Sequence, residues 1–262
     1  TFSPASRSYS ILGISQIDQN YKATFDRSSD CADISALIGD DNQGWFGLET
    51  GASTRASFTG VNSGPVQIVS NNDVPLIGAE RVIYKVKGVQ TSFTEMMGLP
   101  NSELDTVYWL PWYNNVELDT QLRIANATNN PATVTVTIGG VEMPTLNLTA
   151  GESTRVSYPV NDGPVQIESN EEIVAAERVI YTVQGTQTSF SEMMALPESQ
   201  LDTTYWLPWY NNKDLDTQLR IGNVSASTAT VHVFIGGDEV TPVQGITLLE
   251  GESTRLSYPA VN

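Results

Sequence analysis

The sequence predicts an all-β protein made of tandem β-sandwich repeats of the Ig-like or Greek-key type, with about 97–100 residues in each repeat. The octet Tyr-Trp-Leu-Pro-Trp-Tyr-Asn-Asn occurs twice, at residues 108–115 and 205–212. Around it, residues 79–124 and 176–221 are identical at 36 of 46 positions, at a constant offset of 97. Short β-branched and aromatic runs alternate with Asn, Asp and Gly turns throughout the repeat, which is typical of many short strands.

Three copies of the repeat divide the chain. We predict a diverged first copy with a unique N-terminal segment over residues 1–105, a complete second copy over 106–201 and an incomplete third copy over 202–262. Every copy contains the motif Gly-x-Ser-Thr-Arg, but Gly-Pro-Val-Gln-Ile follows it only in the first two. The third copy therefore lacks its last strands, and we expect a hydrophobic groove and unpaired strand edges there.

The N-terminal segment and the octets contain the first strand signals. Residues 8–17 and 21–25 are β-prone, and residues 40–42 indicate a turn. The aromatic runs at 106–113 and 203–210 each contain a proline in the middle. Because proline cannot donate to a β-ladder, each run is predicted to be an edge strand or to bend at that point.

The rest of the second copy alternates strands and turns. Residues 119–126 alternate apolar and polar side chains, the period of a half-buried strand. Residues 132–138 are mostly β-branched, and the following Gly139-Gly140 predicts a hairpin to residues 141–143. Three further strands are predicted over residues 152–158, 164–168 and 173–183.

One helical turn is predicted in each of the first two copies. Ser92-x-x-Glu95 and Ser189-x-x-Glu192 match the capping box, in which Ser and Glu each bind an unpaired amide of a helix N-terminus. A pair of methionines and a proline follow each box, and we expect the methionines to fill one end of the sandwich.

The charge of the chain restricts its partners and its location. It has 30 acidic and 13 basic residues, a formal net charge of −17, which disfavours nucleic acid and anionic lipid. No apolar run approaches the roughly 20 residues of a membrane span. The first residue is Thr1 and nothing resembles a signal peptide, which fits a secreted protein after signal removal or a fragment of a longer protein. We expect an extracellular or cell-surface location.

No motif in the sequence indicates catalysis. His232 is the only histidine and Cys31 the only cysteine. A hydrolytic triad would have to use this one imidazole, and a zinc site would have too few His and Cys ligands. Glycine-rich nucleotide-binding motifs are absent. The sequence therefore predicts a protein that is not an enzyme.

The octets also predict a carbohydrate-binding alternative. Neighbouring Trp and Tyr rings can form a flat platform for sugar rings, and the following asparagines can bind hydroxyls, although packing into the core explains the same residues. Two octets would make such a protein bivalent. The candidate sugar-binding residues are Trp109, Trp112, Asn114, Trp206, Trp209 and Asn211.

Calcium is the one candidate cofactor, and its signal is weak. Oxygen donors recur at every second position after each octet, but the glycine and terminal glutamate of an EF-hand are absent, and a solvated turn explains the pattern as well. The candidate ligands are Asn115, Glu117, Asp119, Asn212, Asp214 and Asp216.

Arginines and sequons recur with the repeat. Seven of the nine arginines occupy repeated positions, which indicates structural pairing with carboxylates: Arg55, Arg81, Arg123, Arg155, Arg178, Arg220 and Arg255. Three Asn-x-Ser/Thr sequons are candidate glycosylation sites: Asn126, Asn147 and Asn223.

The motifs ERVIY, SFxEMM, YWLPWYNN, DTQLRIxN, IGG and GESTR recur about every 97 residues. In this combination the chain resembles tandem β-sandwich modules of uncharacterised secreted and cell-surface proteins of prokaryotes, over residues 47–262. The resemblance implies an extracellular, repeat-built, non-catalytic protein and transfers no functional residues.

The leading hypothesis is a structural subunit of the cell exterior: a filament, surface layer or adhesin shaft that polymerises with copies of itself. A bivalent carbohydrate-binding protein that recognises surface glycans is the main alternative, and a non-catalytic fragment of a larger secreted enzyme is the third. Residues 8–17 are apolar and uncharged, and they could complete the third copy of a neighbouring subunit by strand addition. The alternative is that the natural polypeptide continues past residue 262 and supplies its own strands. The candidate donor-strand residues are Tyr9, Ile11, Leu12, Ile14 and Ile17.

Overall fold

A computed structural model describes residues 31–259 and residue 261. In this part of the chain every regular element is a β-strand, apart from two single 3-10 turns at Asn101–Glu103 and Glu198–Gln200. The all-β prediction is therefore confirmed. The strands predicted over 8–17 and 21–25, and with them all five donor-strand residues, lie outside the described residues.

The first part of the described chain forms a three-stranded antiparallel sheet and a separate hairpin. The sheet has the order β2-β1-β3, and Ala32, Ile34 and Ala36 form the buried face of its central strand. The hairpin pairs β4 with β5. These elements are β1 (Cys31–Ile38), β2 (Asp41–Glu49), β3 (Val66–Ser70), β4 (Ala79–Val86) and β5 (Val89–Met97).

A nine-stranded network follows, and one long strand, β14, organises it. The elements in chain order are β6 (Asp105–Leu110), β7 (Tyr113–Asn114), β8 (Asp119–Asn126), β9 (Ala132–Ile138), β10 (Val141–Glu142), β11 (Leu146–Leu148), β12 (Ser153–Val156), β13 (Asn161–Asp162), β14 (Val165–Val183), β15 (Thr186–Met194) and β16 (Leu196–Pro197). The first half of β14 lies between β9 and β6, and its second half lies between β8 and β15. β7 and β13 form a separate pair.

Several of these bounds agree with the prediction, because they depend on local sequence signals. β8 and β9 have the predicted limits, and the β9–β10 hairpin turns at Gly139 and Gly140, whose φ angles are 55° and 78°. The two strands predicted over 164–168 and 173–183 are one strand with a register irregularity between Glu168 and Ile173. The polar residues between them are accommodated as a local bulge, so they do not end the strand.

The core lies inside this network. Alternate residues of β9 point inward, and so do alternate residues of its neighbour β14 and of β6 and β8, which pair with β14. Two tyrosines bind backbone from within the core: the Tyr108 hydroxyl donates to the Ile173 carbonyl (2.7 Å), and the Tyr113 hydroxyl donates to the Thr120 carbonyl (3.0 Å). The buried cluster comprises Tyr108, Leu110, Tyr113, Leu122, Ile124, Ala132, Val134, Val136, Ile138, Leu148, Val165, Ile167, Ile173, Ala175 and Ala195.

The last part of the described chain consists of three two-stranded ladders: β17–β22, β18–β21 and β19–β20. Each repeats a pairing of the nine-stranded network; Arg220 opposes Arg255 across β17–β22 as Arg123 opposes Arg155 across β8–β12. The six strands are β17 (Leu219–Gly222), β18 (Ala229–Val231), β19 (Phe234–Ile235), β20 (Asp238–Glu239), β21 (Ile246–Leu248) and β22 (Ser253–Leu256).

The predicted helical turns are wrong. Both capping-box sequences lie inside strands, in β5 and β15. Their glutamates face arginines across the hairpins, Arg81 opposite Glu95 and Arg178 opposite Glu192, and these cross-strand ion pairs replace the expected capping contacts. Met97 and Met193 are exposed by 54% and 42%, so they do not fill a sandwich end.

Candidate functional site

In the second copy the first three residues of the octet form the end of a buried strand, β6. Tyr108 and Leu110 have exposures of 0% and 2%, and they lie opposite Ile167 and Val165 of β14. The strand ends at Leu110, so Pro111 interrupts the ladder as predicted. Tyr108, Leu110 and their β14 partners all belong to the core.

In the third copy the same octet is not a strand and is exposed. The exposed fractions of Tyr205, Trp206, Leu207 and Trp209 are 59%, 89%, 68% and 74%. Only the end of the octet keeps its contacts: the Tyr210 hydroxyl donates to the Thr217 carbonyl and accepts from the Tyr258 amide, as Tyr113 does in the second copy. Since the two octets are identical, their neighbours cause the difference. Among the described residues, the third copy has no counterpart of β14.

In the described part of the first copy, one edge of β3 is unpaired. The β1–β3 ladder repeats the register of β9–β14, with Ile38 opposite Val66 as Ile138 is opposite Val165. Within the described residues, however, β3 pairs only with β1, whereas β14 also pairs with β6. Val66 and Ile68 are accordingly exposed by 52% and 48%, whereas their second-copy counterparts Val165 and Ile167 are fully buried.

The candidate sugar-binding residues are not equivalent in the two copies. The Arg220 guanidinium lies over the Trp112 ring, 4.8 Å from its centroid, and the Trp112 indole donates to Asn161. The side chains of Asn114 and Asn211 accept backbone amides of the turns that follow them. Of the two octets, the structure therefore leaves only the aromatic residues in the octet of the third copy as an open platform.

The candidate calcium ligands are distributed over two turns. The side-chain oxygens of Asn115 and Asn212 accept the amides of Thr120 and Thr217, which keeps them inside the turns. The four carboxylates are exposed: Glu117, Asp119, Asp214 and Asp216. The described part of the chain contains no group of three or more His, Cys, Asp or Glu side chains arranged to hold a metal. Calcium binding remains a hypothesis.

Three of the seven repeated arginines contact carboxylates as predicted, and a fourth has a different structural contact. Arg178 binds Glu192 at 2.5 Å, Arg123 reaches the same carboxylate at 3.9 Å, and Arg81 binds Glu95 at 2.6 Å. Arg220 covers Trp112. The other three arginines, Arg55, Arg155 and Arg255, belong to the Ser-Thr-Arg motif and are exposed. In the described part of the chain they form no ion pair, so their predicted pairing with carboxylates is not seen.

Two of the three sequons are structural in the folded chain. The Asn126 amide is buried and donates to the carbonyls of Asn130 and Thr149, and the Asn223 amide donates to three carbonyls. A glycan on either residue would have to replace these hydrogen bonds, so the contacts of the folded chain argue against modification there, and glycosylation of both residues stays a prediction. Asn147 is exposed and stays a candidate.

Two further residues singled out by the sequence lie away from the octets. His232 Nδ1 is 2.6 Å from Glu239 Oε1, and the Thr241 hydroxyl donates to the same oxygen. The Thr241 hydroxyl therefore donates to the Glu239 carboxylate and not to the His232 imidazole. Cys31, the one cysteine of the sequence, lies half-buried at the start of β1.

The contact between the second and third copies contains a buried carboxylate that sequence reasoning missed. Glu177 of β14 is 4% exposed and lies near Arg220 of β17. Burial raises the pKa of Glu177 to about 7, and Arg220 partly opposes that rise. The equivalent carboxylate, Glu80, lies near Arg123; desolvation and the neighbouring Glu192 raise the pKa of Glu80. Both glutamates are the first residue of the repeated ERVIY motif. Their recurrence beside an arginine was the sequence signal that could have identified them.

A pH dependence of stability follows from Glu177. Its folded pKa of about 7 exceeds the ordinary value of 4.5, so between these values the folded chain binds more protons than the unfolded chain. The contribution of Glu177 to the free energy of unfolding is therefore present below pH 4.5 and is lost as pH rises toward 7. We expect Glu177→Gln to flatten thermal stability between pH 5 and 8 and to stabilise the chain at pH 8. Glu168→Gln, at an exposed carboxylate, is the control; equal pH profiles for both variants would contradict the expectation.

Comparison of the chain with protein-family models, curated proteins and solved structures finds no match. The described part of the chain contains no helix with the length and apolar character of a membrane span. The octet surfaces and the contacts between copies are therefore the features of the molecule that bear on its function.

Proposed function

We propose that this chain is a structural subunit of the cell exterior, built from stacked β-sandwich modules, that polymerises head to tail into a filament or related array. One observation carries the proposal. Consecutive copies of the repeat contact one another through equivalent residues, and the contact between the first and second copies recurs between the second and third.

The repeated contact between copies supports linear growth. A Cβ added to Gly64 would lie 3.1 Å from Ser153 Oγ, and one added to Gly163 would lie 3.2 Å from Ser253 Oγ. The first-to-second contact therefore recurs between the second and third copies, with equivalent residues in the same roles. A heterologous contact that repeats without closing produces an open assembly.

Equivalent positions of consecutive copies also touch directly. Gln200 Nε2 donates to Glu103 Oε2 at 2.9 Å, and these two residues are one repeat apart. Close by, the Glu192 amide donates to the Thr94 hydroxyl at 3.3 Å, and the Tyr84 and Phe190 rings meet edge to face at 5.7 Å. The first two copies are thus packed against one another over both hairpins.

The proposal includes an extracellular location, which the net charge of −17 and the resemblance to prokaryotic surface modules support. The N-terminal residues 8–17 are one candidate for the strand that completes a neighbour. They have the apolar, uncharged composition that strand addition requires.

Self-association tests the proposed function. In sedimentation velocity, we expect the purified chain to form larger species as its concentration rises, and we expect negative-stain microscopy to show fibres or lattices. High salt should favour assembly, because it screens the repulsion between chains of charge −17. A chain that stays monomeric at every concentration and salt level would remove the proposal.

Carbohydrate binding is the second candidate, favoured by the exposed rings of Trp206 and Trp209. A glycan array distinguishes the two functions. If the chain is a structural subunit as proposed, we expect no glycan of the array to bind. Binding that is lost in Trp206→Ala and Trp209→Ala but kept in Trp45→Ala, an exposed tryptophan of the first copy, would replace the proposal.

A further inference from the structure

The contact between the second and third copies brings an arginine of one copy to two residues of the other. The Arg220 guanidinium of β17 lies over the Trp112 ring of the second copy, 4.8 Å from its centroid. Glu177 of β14, also from the second copy, is 4% exposed and interacts electrostatically with the same guanidinium. Within the described residues Glu177 and Arg220 form no ion pair, so the ring and not the carboxylate is the partner of Arg220 in this structure.

The backbone of β17 is packed closely against the second copy beside these residues. A Cβ added to Gly222 would lie 3.0 Å from Ser253 Oγ and 3.1 Å from the Pro164 Cβ. A tightly packed contact of this kind does not deform continuously, and a small local shift is passed on as a movement of the whole unit. We therefore expect a change in the partner of Arg220 to alter how the third copy is oriented on the second.

We infer that Arg220 has two alternative partners and that the protonation of Glu177 selects between them. When Glu177 is neutral, Arg220 stays on the Trp112 ring, as in the structure. When Glu177 is charged, Arg220 leaves the ring and binds the carboxylate, which changes the angle between the second and third copies. The contact between these copies is then a pH-sensitive joint. The inference concerns contacts within one chain and does not depend on polymerisation.

The burial of Glu177 explains why its charge is expected to move the arginine. A charged carboxylate in a buried position is strongly unfavourable unless an opposite charge or hydrogen bonds compensate it. An arginine over an aromatic ring is held by a weaker interaction, so the charged carboxylate is the better partner. Burial raises the pKa of Glu177 to about 7, and Arg220 partly opposes that rise. The exchange of partners is therefore expected near neutral pH.

The other charged and titratable groups around Glu177 do not take the place of Arg220. Arg255 belongs to the third copy and opposes Arg220 across the β17–β22 ladder, so its charge favours the movement of Arg220 toward a carboxylate. Burial raises the pKa of Tyr113, the neighbouring phenol of β7, which keeps it neutral near pH 7. Side chains alternate along a strand, so three further charged residues lie on the opposite face of the sheet: Arg123, Arg178 and Glu192.

The contact between the first and second copies contains the same pair one repeat earlier. Glu80 interacts electrostatically with Arg123, and desolvation followed by the charge of Glu192 raises the pKa of Glu80. Arg123 Nε is buried and has no hydrogen-bond partner among the described residues, so this donor is free to bind a charged carboxylate. The recurrence of a glutamate of one copy beside an arginine of the next indicates that the joint is a property of the repeat.

Distances between two labels test the joint in single chains. Asn129 and Ala226 are exposed and occupy equivalent positions of the second and third copies. In a chain with Cys31→Ser, spin labels are attached to cysteines at these two positions, and pulsed electron spin resonance measures their separation in an excess of unlabelled chain. We expect two distances whose ratio changes by up to about tenfold for each pH unit near pH 7, the limit for a single proton.

Three variants identify the groups responsible. Glu177→Gln keeps a neutral side chain of the same shape and should show the low-pH distance at every pH. Trp112→Leu removes the partner of the neutral state, so the change should move to lower pH. His232→Gln removes the only imidazole of the chain and should leave the change as it is. One distance throughout pH 5 to 8, a change that persists in Glu177→Gln, or an unmoved midpoint in folded Trp112→Leu would overturn the inference.

Discussion

Replacing Ile167 with alanine is expected to lower the free energy of unfolding by about 2–4 kcal/mol, whereas the same change at Ile68 should cost less than about 1 kcal/mol. The two isoleucines occupy the same position of the Gly-Pro-Val-Gln-Ile motif. Ile167 is fully buried, and its removal leaves a cavity among Tyr108, Val136 and other core side chains that cannot fully relax. Ile68 is 48% exposed, so alanine removes few contacts.

Denaturant unfolding followed by tryptophan fluorescence measures the difference, because Trp109 belongs to β6, which pairs with the strand that contains Ile167. The experiment is done at low protein concentration and low salt, where self-association is weakest. Equal losses for the two variants would mean that β3 of the first copy is as well covered as β14, which would contradict the open surface described above.

Arg178→Met should cost about 3–5 kcal/mol, the usual effect of leaving a buried carboxylate without its partner. The Glu192 side chain is 4% exposed, Arg178 binds it at 2.5 Å, and Arg123 is farther away, at 3.9 Å. Arg178 also lies 5.1 Å from the centroid of the Phe190 ring. Methionine keeps much of the aliphatic contact with that ring but supplies no charge.

The first copy contains a matched control for this arginine. Arg81 pairs with Glu95 and lies over Phe93 in the same geometry, but the two side chains are 44% and 50% exposed. An exposed ion pair contributes at most about 1 kcal/mol, so Arg81→Met should hardly change the melting temperature. Similar shifts for both variants would show that burial of Glu192 is not the deciding factor. Restoring stability with Glu192→Gln in the Arg178→Met background would confirm that the unpaired carboxylate is the cause.

The sequence predicted those parts of the fold that depend on neighbouring residues. The limits of β8 and β9 follow from alternation of side chains, and the β9–β10 turn follows from Gly139-Gly140. The capping-box motif misled because its glutamate binds an arginine 14 residues away across a hairpin. A local pattern cannot show that partner.

The candidate site was only half visible in the sequence for the same reason. Residues 202–262 contain no counterpart of β14, and this could be read directly from the sequence. The different exposure of the two octets could not be predicted, because identical residues gave identical expectations. Burial of the octet in the second copy depends on β14, which lies more than 50 residues later in the chain. The sequons show the same limit: Asn126 and Asn223 match a glycosylation motif, yet their amides hold a turn together.

The contact between Glu103 and Gln200 has a geometric consequence. These residues are one repeat apart and their side-chain ends are 2.9 Å from each other, so the operation that carries the first copy onto the second moves this point by no more than about two side-chain lengths. Two copies cannot occupy the same space, and the operation must therefore be mainly a rotation about an axis close to that contact. Repeated many times, it winds the copies around the axis like steps of a spiral staircase. A long array would gain little length for each added copy, and its thickness and helical pitch would be set by the rotation between one copy and the next.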